Sequence, residues 1–211
     1  PGETYEYTIE SAHGSLPRHK LRTAPPKDAR RLRIAFGSCF DDFSNDQPIF
    51  DAIGREGADL FMMIGDNCYF DTPDWQSEHT MMMAQLRNRN NEGLRRLIPD
   101  IPVLGVWDDH DFGPNDSDST FAGGRLYSYP VFKRVWAQRA YGTEELPGIF
   151  STVRMGPAEM FLLDGRYYRL ENREILGKAQ MAWLKEQLRR SEAPVKVIVS
   201  ASQVLPEAPA P

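Results

Sequence analysis

The spacing of apolar positions changes several times along the 211-residue chain, and each change marks an element. Residues 4–10 (TYEYTIE) alternate aromatic or β-branched with polar side chains, the period-2 pattern of a half-buried strand. Lys20-Leu21-Arg22-Thr23 predicts a second short strand. Ala24-Pro25-Pro26-Lys27-Asp28 then ends regular structure, because proline lacks an amide donor and restricts the residue before it. This first stretch reads as the last hairpin of a β unit, followed by a linker.

From Arg31 the pattern is different. Leu32-Arg33-Ile34-Ala35-Phe36 predicts a strand running into Gly37-Ser38-Cys39, and helical spacing over residues 48–54 follows, with Asp46 as its cap. The run Asp59-Leu60-Phe61-Met62-Met63-Ile64 has strand length and ends in Gly65-Asp66-Asn67. A long polar helical region is expected over residues 78–97. Ile101-Pro102-Val103-Leu104-Gly105-Val106-Trp107 is another apolar run, ending in Asp108-Asp109-His110-Asp111. A helix is predicted over 129–141, with Val131, Val135 and Trp136 on its apolar side. Two strands, 150–154 and 160–164, are joined by a Gly156-Pro157 turn. An amphipathic helix over 177–190 carries Met181, Leu184 and Leu188 as its stripe, and residues 195–200 form a last strand. Strands apolar on both faces and separated by helices indicate an α/β fold, a sheet covered by helices on both sides.

Composition narrows the function. With 41% hydrophobic residues the chain can bury a core, and two cysteines exclude a disulfide-dense scaffold. The longest apolar stretches fall far short of the roughly 20 residues of a membrane-spanning helix. A net charge of -5 argues against nucleic-acid binding, and an anionic substrate would need a local cation or arginine cluster to hold it. Pro1 opens the chain without an initiator methionine, and residues 206–211 (PEAPAP) close it after an apolar run, so a piece of a longer protein is expected.

Three apolar strands in succession end in polar clusters, and in open α/β sheets ligands bind beyond the carboxyl ends of the strands. This would gather Cys39, Asp66, Tyr69, Asp109 and His110, all of them metal-ligand types. Taken singly, each has an ordinary alternative: an aspartate after a strand as turn former, Cys39 as a small buried residue, Tyr69 as a core aromatic. Three carboxylates around one histidine at 108–111 are harder to explain that way, because they repel one another unless a cation sits among them.

These residues carry a resemblance. Ser38-Cys39-Phe40, Gly65-Asp66-Asn67-Cys68-Tyr69 and the run Trp107 to Asp116 (WDDHDFGPND) resemble the motifs of the alkaline phosphatase D (PhoD-like) family of metallophosphatases. Leu163-Asp164-Gly165-Arg166-Tyr167-Tyr168-Arg169 and the segment from Leu176 to Leu184 are similar to its later motifs. The resemblance implies a metallophosphoesterase (calcineurin-like) domain over residues 27–205, incomplete at its C-terminus. It also implies the end of a β-sandwich domain at 1–26 and a tail at 206–211. The implied activity is hydrolysis of phosphomonoesters or phosphodiesters by a metal-activated water, at a two-metal centre of iron with calcium.

Gly65-Asp66-x-x-Tyr69 also matches the pattern of purple acid phosphatases. By resemblance Asp66 bridges the two metals, and Cys39 and Tyr69 bind the iron. Asp109 stands where related enzymes usually have an asparagine ligand, with Asp108 open as the alternative. His110 contacts the phosphate or protonates the leaving group, and Arg166 and Asn115 stand on the substrate side. For Arg166, a salt bridge bracing Asp164 or another carboxylate is an equal alternative. Cys68 is expected as a buried thiol rather than a disulfide partner of Cys39.

The family completes its site with a later Gly-Asp-x-His motif, which does not occur after Val204; His13, His19 and His79 lie in no matching context. The expectation is therefore a chain that binds metal weakly and is inactive alone, within a longer exported phosphatase. Other readings are a strict phosphodiesterase, a truncated pseudoenzyme, or a surface-binding module that keeps the fold. Nothing in the sequence points to a protein partner.

Overall fold

The computed structural model describes residues 2–40, 48–170 and 174–203. Strands β1 (Thr4–Tyr7) and β4 (His19–Arg22) pair antiparallel, with the two-residue strands β2 (Glu10–Ser11) and β3 (Gly14–Ser15) forming a small hairpin beyond them. The first strand is thus shorter than its alternation suggests. The pair is tied to the rest of the chain by the Tyr7 hydroxyl, which donates to the Pro99 carbonyl at 2.9 Å, and by His19 Nδ1, 3.5 Å from the Asp100 carboxylate.

The body contains two three-stranded sheets that share one core. The first, β5 (Ile34–Gly37), β6 (Leu60–Ile64) and β7 (Val103–Val106), is parallel, in the order β5-β6-β7. Helix α1 (Pro48–Arg55) connects the first two strands; α2 (Glu78–Arg89) and α3 (Glu92–Leu97) lie between the second and third. The expected cap of α1, Asp46, lies outside the described residues. The second sheet is mixed: β9 (Ala158–Leu162) pairs antiparallel with β8 (Ser151–Met155) and parallel with β10 (Val195–Val199). Leu60, Met62 and Val106 from the first sheet and Met155, Met160, Leu162 and Val199 from the second belong to the same buried cluster. One sheet is therefore covered partly by the other as well as by helices.

The elements depart from the sequence pattern at four places. The polar helical region breaks at Asn91, whose side-chain oxygen accepts from the Gly93 and Leu94 amides at 3.1 and 3.3 Å and starts α3. Strands β8 and β9 sit one or two residues from their predicted positions, and each keeps the Gly156-Pro157 turn.

Helix α5 (Tyr129–Val135) stops well before Tyr141, because Trp136 turns to extended backbone and packs its ring under β7. In α6 (Gly177–Arg190) the inward face is carried by Gln180 and Leu184, whereas Met181 is 39% exposed. Gln180 is fully buried because both ends of its amide are satisfied: its oxygen accepts from the Asp164 amide and its nitrogen donates to the Asp164 carbonyl, each at 2.8 Å.

Parallel pairing brings all three carboxyl ends of the first sheet to one edge. Gly37 lies opposite Met63, and Ile64 opposite Val106, so Cys39, Asp66 and Asp108 each stand two residues beyond neighbouring strand ends. Gly105 in β7 leaves room for Trp136, since a Cβ there would lie 2.5 Å from the indole ring. Gly105→Ala should therefore lower stability by about 1–3 kcal/mol through overpacking. Urea denaturation measures this, and an unchanged midpoint would refute the close packing of Trp136 on β7.

Candidate metal centre

The turn after β6 is backbone-constrained. Gly65 has φ 104°, and a Cβ there would come within 2.8 Å of the Asp108 Cβ, so the turn can press against the end of β7 only with glycine. Asp66 follows at φ 48° and Cys39 sits at φ 60°, left-handed positions that non-glycine residues rarely adopt and that cluster at functional sites. The Cys39 and Phe40 amides donate to the Gly65 and Asp66 carbonyls at 3.1 and 2.8 Å, which joins the two turns.

Around Asp66 the candidate side chains converge. Its Oδ2 accepts from the Tyr69 hydroxyl at 3.1 Å and lies 3.3 Å from His110 Nδ1 and 4.0 Å from Cys39 Sγ. Asp109 Oδ1 is 3.4 Å from the same histidine nitrogen, while its Oδ2 accepts from the Asp116 amide at 2.7 Å. Asp66, Asp109 and His110 can each offer one ligand atom with all three atoms within 4.8 Å of one another. Asp66 Oδ1 is buried and has no hydrogen-bond partner among the described residues. A buried carboxylate oxygen without a donor is costly, and a hard cation satisfies it, so the donor set fits a metal.

The electrostatics agree with the geometry. Burial raises the Asp66 carboxyl above the usual carboxylate range, and the neighbouring Asp109 and Asp108 charges add to this, against the opposing pull of His110. Burial also acts to raise Asp109, yet the Asp116 amide, Arg166 and His110 outweigh it and hold that carboxyl low. Tyr69 is raised by burial, with Cys39 and Asp66 contributing.

The other sequence candidates have different surroundings. Asp108 Oδ1 accepts from Arg166 Nε at 2.7 Å, and Nη2 of the same guanidinium approaches at 2.5 Å. Arg166 is 5% exposed and spends its remaining donor, Nη1, on the Ser117 carbonyl at 3.1 Å. Asn115 is exposed, and its amide donates to the Asp116 carboxylate at 2.7 Å. Cys68 is buried in a small apolar cluster with Phe70, Met81, Ala84 and Val131.

Three contributors lay beyond sequence reasoning: the Asp116 amide at φ 58°, the Ser117 carbonyl, and Asn67 with Asp111. The first had a faint signal, because aspartate and asparagine tolerate the left-handed turn conformation.

Known proteins resemble this two-sheet α/β body in fold and in sequence. The chain superposes on a solved structure of PhoD with a TM-score of 0.79 and 20% identity, over 94% of this chain and 47% of that one. It also matches a purple acid phosphatase from yellow lupin (Lupinus luteus) seeds, with a TM-score of 0.63 and 13% identity over 92% and 35% of the two chains. In sequence it is 24% identical to alkaline phosphatase D of Bacillus subtilis (strain 168), over 92% of this chain and 41% of that protein. The PhoD-like phosphatase family model matches residues 34–207, and the chain belongs to that family. It spans less than half the length of the relatives it matches.

Removal of the Arg166 guanidinium leaves the Asp108 carboxylate half-buried without its counter-charge. Arg166→Gln should cost on the order of 3 kcal/mol in thermal or urea unfolding. Arg166→Lys should recover little, since it lacks the fork that reaches both Asp108 and Ser117. Full stability in both variants would show that the guanidinium does not brace the site.

Proposed function

We propose that this chain supplies the first part of the active site of a metal-dependent phosphoric ester hydrolase, acting on phosphomonoesters or phosphodiesters. The observation that carries this reading is the convergence of Asp66, Asp109 and His110, with one oxygen of Asp66 buried and lacking a donor. The intact donor set disfavours a surface-binding module that only keeps the fold. Asp66 and Asp109, together with Cys39 and Tyr69, are the residues that would hold the cations. Thiolate and phenolate donors suit trivalent iron at one position, and carboxylate oxygens suit calcium at the other.

Such cations, when bound, neutralise a phosphoryl group and lower the pKa of a water beside it. The protein residues have separable tasks. The Asp116 amide holds Asp109 Oδ2, which leaves Oδ1 turned toward Asp66 and His110. Asp66 and Asp109 face Nδ1 of His110 at 3.3 and 3.4 Å and orient the ring, and Nε2 makes no hydrogen bond among the described residues. That leaves Nε2 as the ring nitrogen that would face the leaving oxygen of an ester.

We assign Arg166 to bracing Asp108 and the Ser117 loop, and Asn115 to the rim where substrate would enter. The domain reading is part of the same proposal: residues 1–26 close a preceding β unit, and the phosphoesterase unit runs over 27–205. No helix among the described residues is long and apolar enough to cross a membrane, and export is proposed from the family resemblance alone.

Metal analysis of the longer protein tests the assignment, because this chain alone is expected to bind metal weakly and to be inactive. Asp66→Ala should abolish stoichiometric binding of iron and of calcium; retention of both would refute the site. His110→Gln should keep metal yet slow turnover of a chromogenic phosphate ester by about 10²–10⁴-fold. Loss of metal in that variant would make His110 a ligand instead.

The sign of the pH dependence follows from Asp66. Its carboxyl holds a proton more tightly than an ordinary aspartate, and metal binding must displace that proton. Metal occupancy should therefore decline at a higher pH on acidification than an unperturbed carboxylate would dictate. A pH titration of bound metal reads this, and release only at ordinary aspartate pH values would contradict it.

A further inference from the structure

Asp111 is not among the residues that would hold a cation, yet its carboxylate sits between the two turns that do. It is 3% exposed, as is Asn67. Its two oxygens accept from the Asn67 amide at 3.0 and 3.1 Å. Oδ2 also accepts from the Asn67 side-chain nitrogen at 3.2 Å and from the Asp108 amide at 3.0 Å. The same Asn67 nitrogen donates to the Val106 carbonyl at 2.7 Å, on the last residue of β7.

A carboxylate that only capped the short helix α4 (Asp109–Phe112) would need the Asp108 amide alone. Here most of its bonds run instead to the turn after β6. Asn67 is covalently next to Asp66, whose backbone is left-handed at φ 48°. Asp108 is covalently next to Asp109.

We infer that Asp111 is a positioning residue: through Asn67 and Asp108 it sets the distance between Asp66 and the Asp109–His110 pair before any cation binds. The inference rests on the metal-centre reading above. A partner that orients ligands from behind, without touching the ion, is commonly worth about 10–100-fold in metal affinity.

The test uses the whole chain, with Co²⁺ as the probe, read by calorimetry and by visible absorption, and thermal unfolding measured in parallel. Asp111→Asn keeps the shape but turns an amide group toward N–H donors. It should weaken Co²⁺ binding by about 10–100-fold and change the Co²⁺ spectrum, because ligand geometry changes. Leu184→Ala, a cavity in the α6 face far from the turns, should lower the unfolding temperature with Co²⁺ affinity and spectrum intact.

Asn67→Ala removes the other half of the link without altering any carboxylate. It should weaken Co²⁺ binding to a similar degree, and the double variant should be little worse than either single one. This variant also decides the matter should Asp111→Asn fail to fold. A folded Asp111→Asn or Asn67→Ala chain with unchanged Co²⁺ affinity and spectrum overturns the inference. Asp66→Ala separates the two readings: unchanged Co²⁺ binding there overturns the metal centre itself, whereas loss there with unchanged binding in Asp111→Asn overturns the positioning role alone.

Discussion

The buried carboxylate of Asp164 is the junction on which the two sheets depend. It stands just beyond β9 in the second sheet, fully buried, and receives Trp107 Nε1 at 2.7 Å from the end of β7 in the first. The amides of Ile149, Arg166 and Tyr167 donate to the same carboxylate, at 2.9, 3.0 and 2.8 Å. Burial raises this carboxyl, and those four donors pull it back toward the charged form. A group so placed is expensive to bury alone, so all its donors must be delivered at once. That requirement fixes where β7 ends relative to β9. It thereby places the Asp108–Asp111 turn beside the loop that carries Arg166.

The same logic explains how four carboxylates crowd into one corner of a chain whose net charge is already -5. Three of them are compensated, each by a different means. Asp108 has a guanidinium, Asp109 has a backbone amide and a more distant share of that guanidinium, and Asp111 has amides from two turns. Burial pushes Asp111 up to about 8 against the pull of those amides. Of the four, Asp66 alone has a fully buried oxygen with no hydrogen-bond partner among the described residues. The supporting carboxylates are thus met by the protein's own groups, and the central one keeps an oxygen that fits the cation proposed above.

Much of this was legible in the chain. Strand-length apolar runs that stop abruptly at Gly-Ser-Cys, Gly-Asp-Asn and Trp-Asp-Asp-His indicated parallel strands with chemistry at their carboxyl ends, and Cys39, Asp66, Tyr69, Asp109 and His110 do meet there. What failed to show was governed by contacts distant in sequence. Trp136 fits the helical spacing of its own segment, and only Gly105, on a strand 31 residues earlier, gives its ring another place to lie. Gln180 reads as a surface residue until the Asp164 backbone offers its amide two partners. Arg166 was equally suited to substrate or to a carboxylate, because sequence does not reveal which carboxylate comes within reach.

The sequence by itself therefore determined the class of fold and which polar side chains gather at the strand ends, because hydrophobic periodicity and strand-end polarity are local properties of the chain. Tertiary structure alone decided the division of labour within the acidic run at 108–111. One carboxylate meets arginine, the next faces Asp66 and His110, and a third turns back to hold Asn67. Successive residues on a tight turn point in different directions, and what each one meets depends on segments that folding brings from elsewhere.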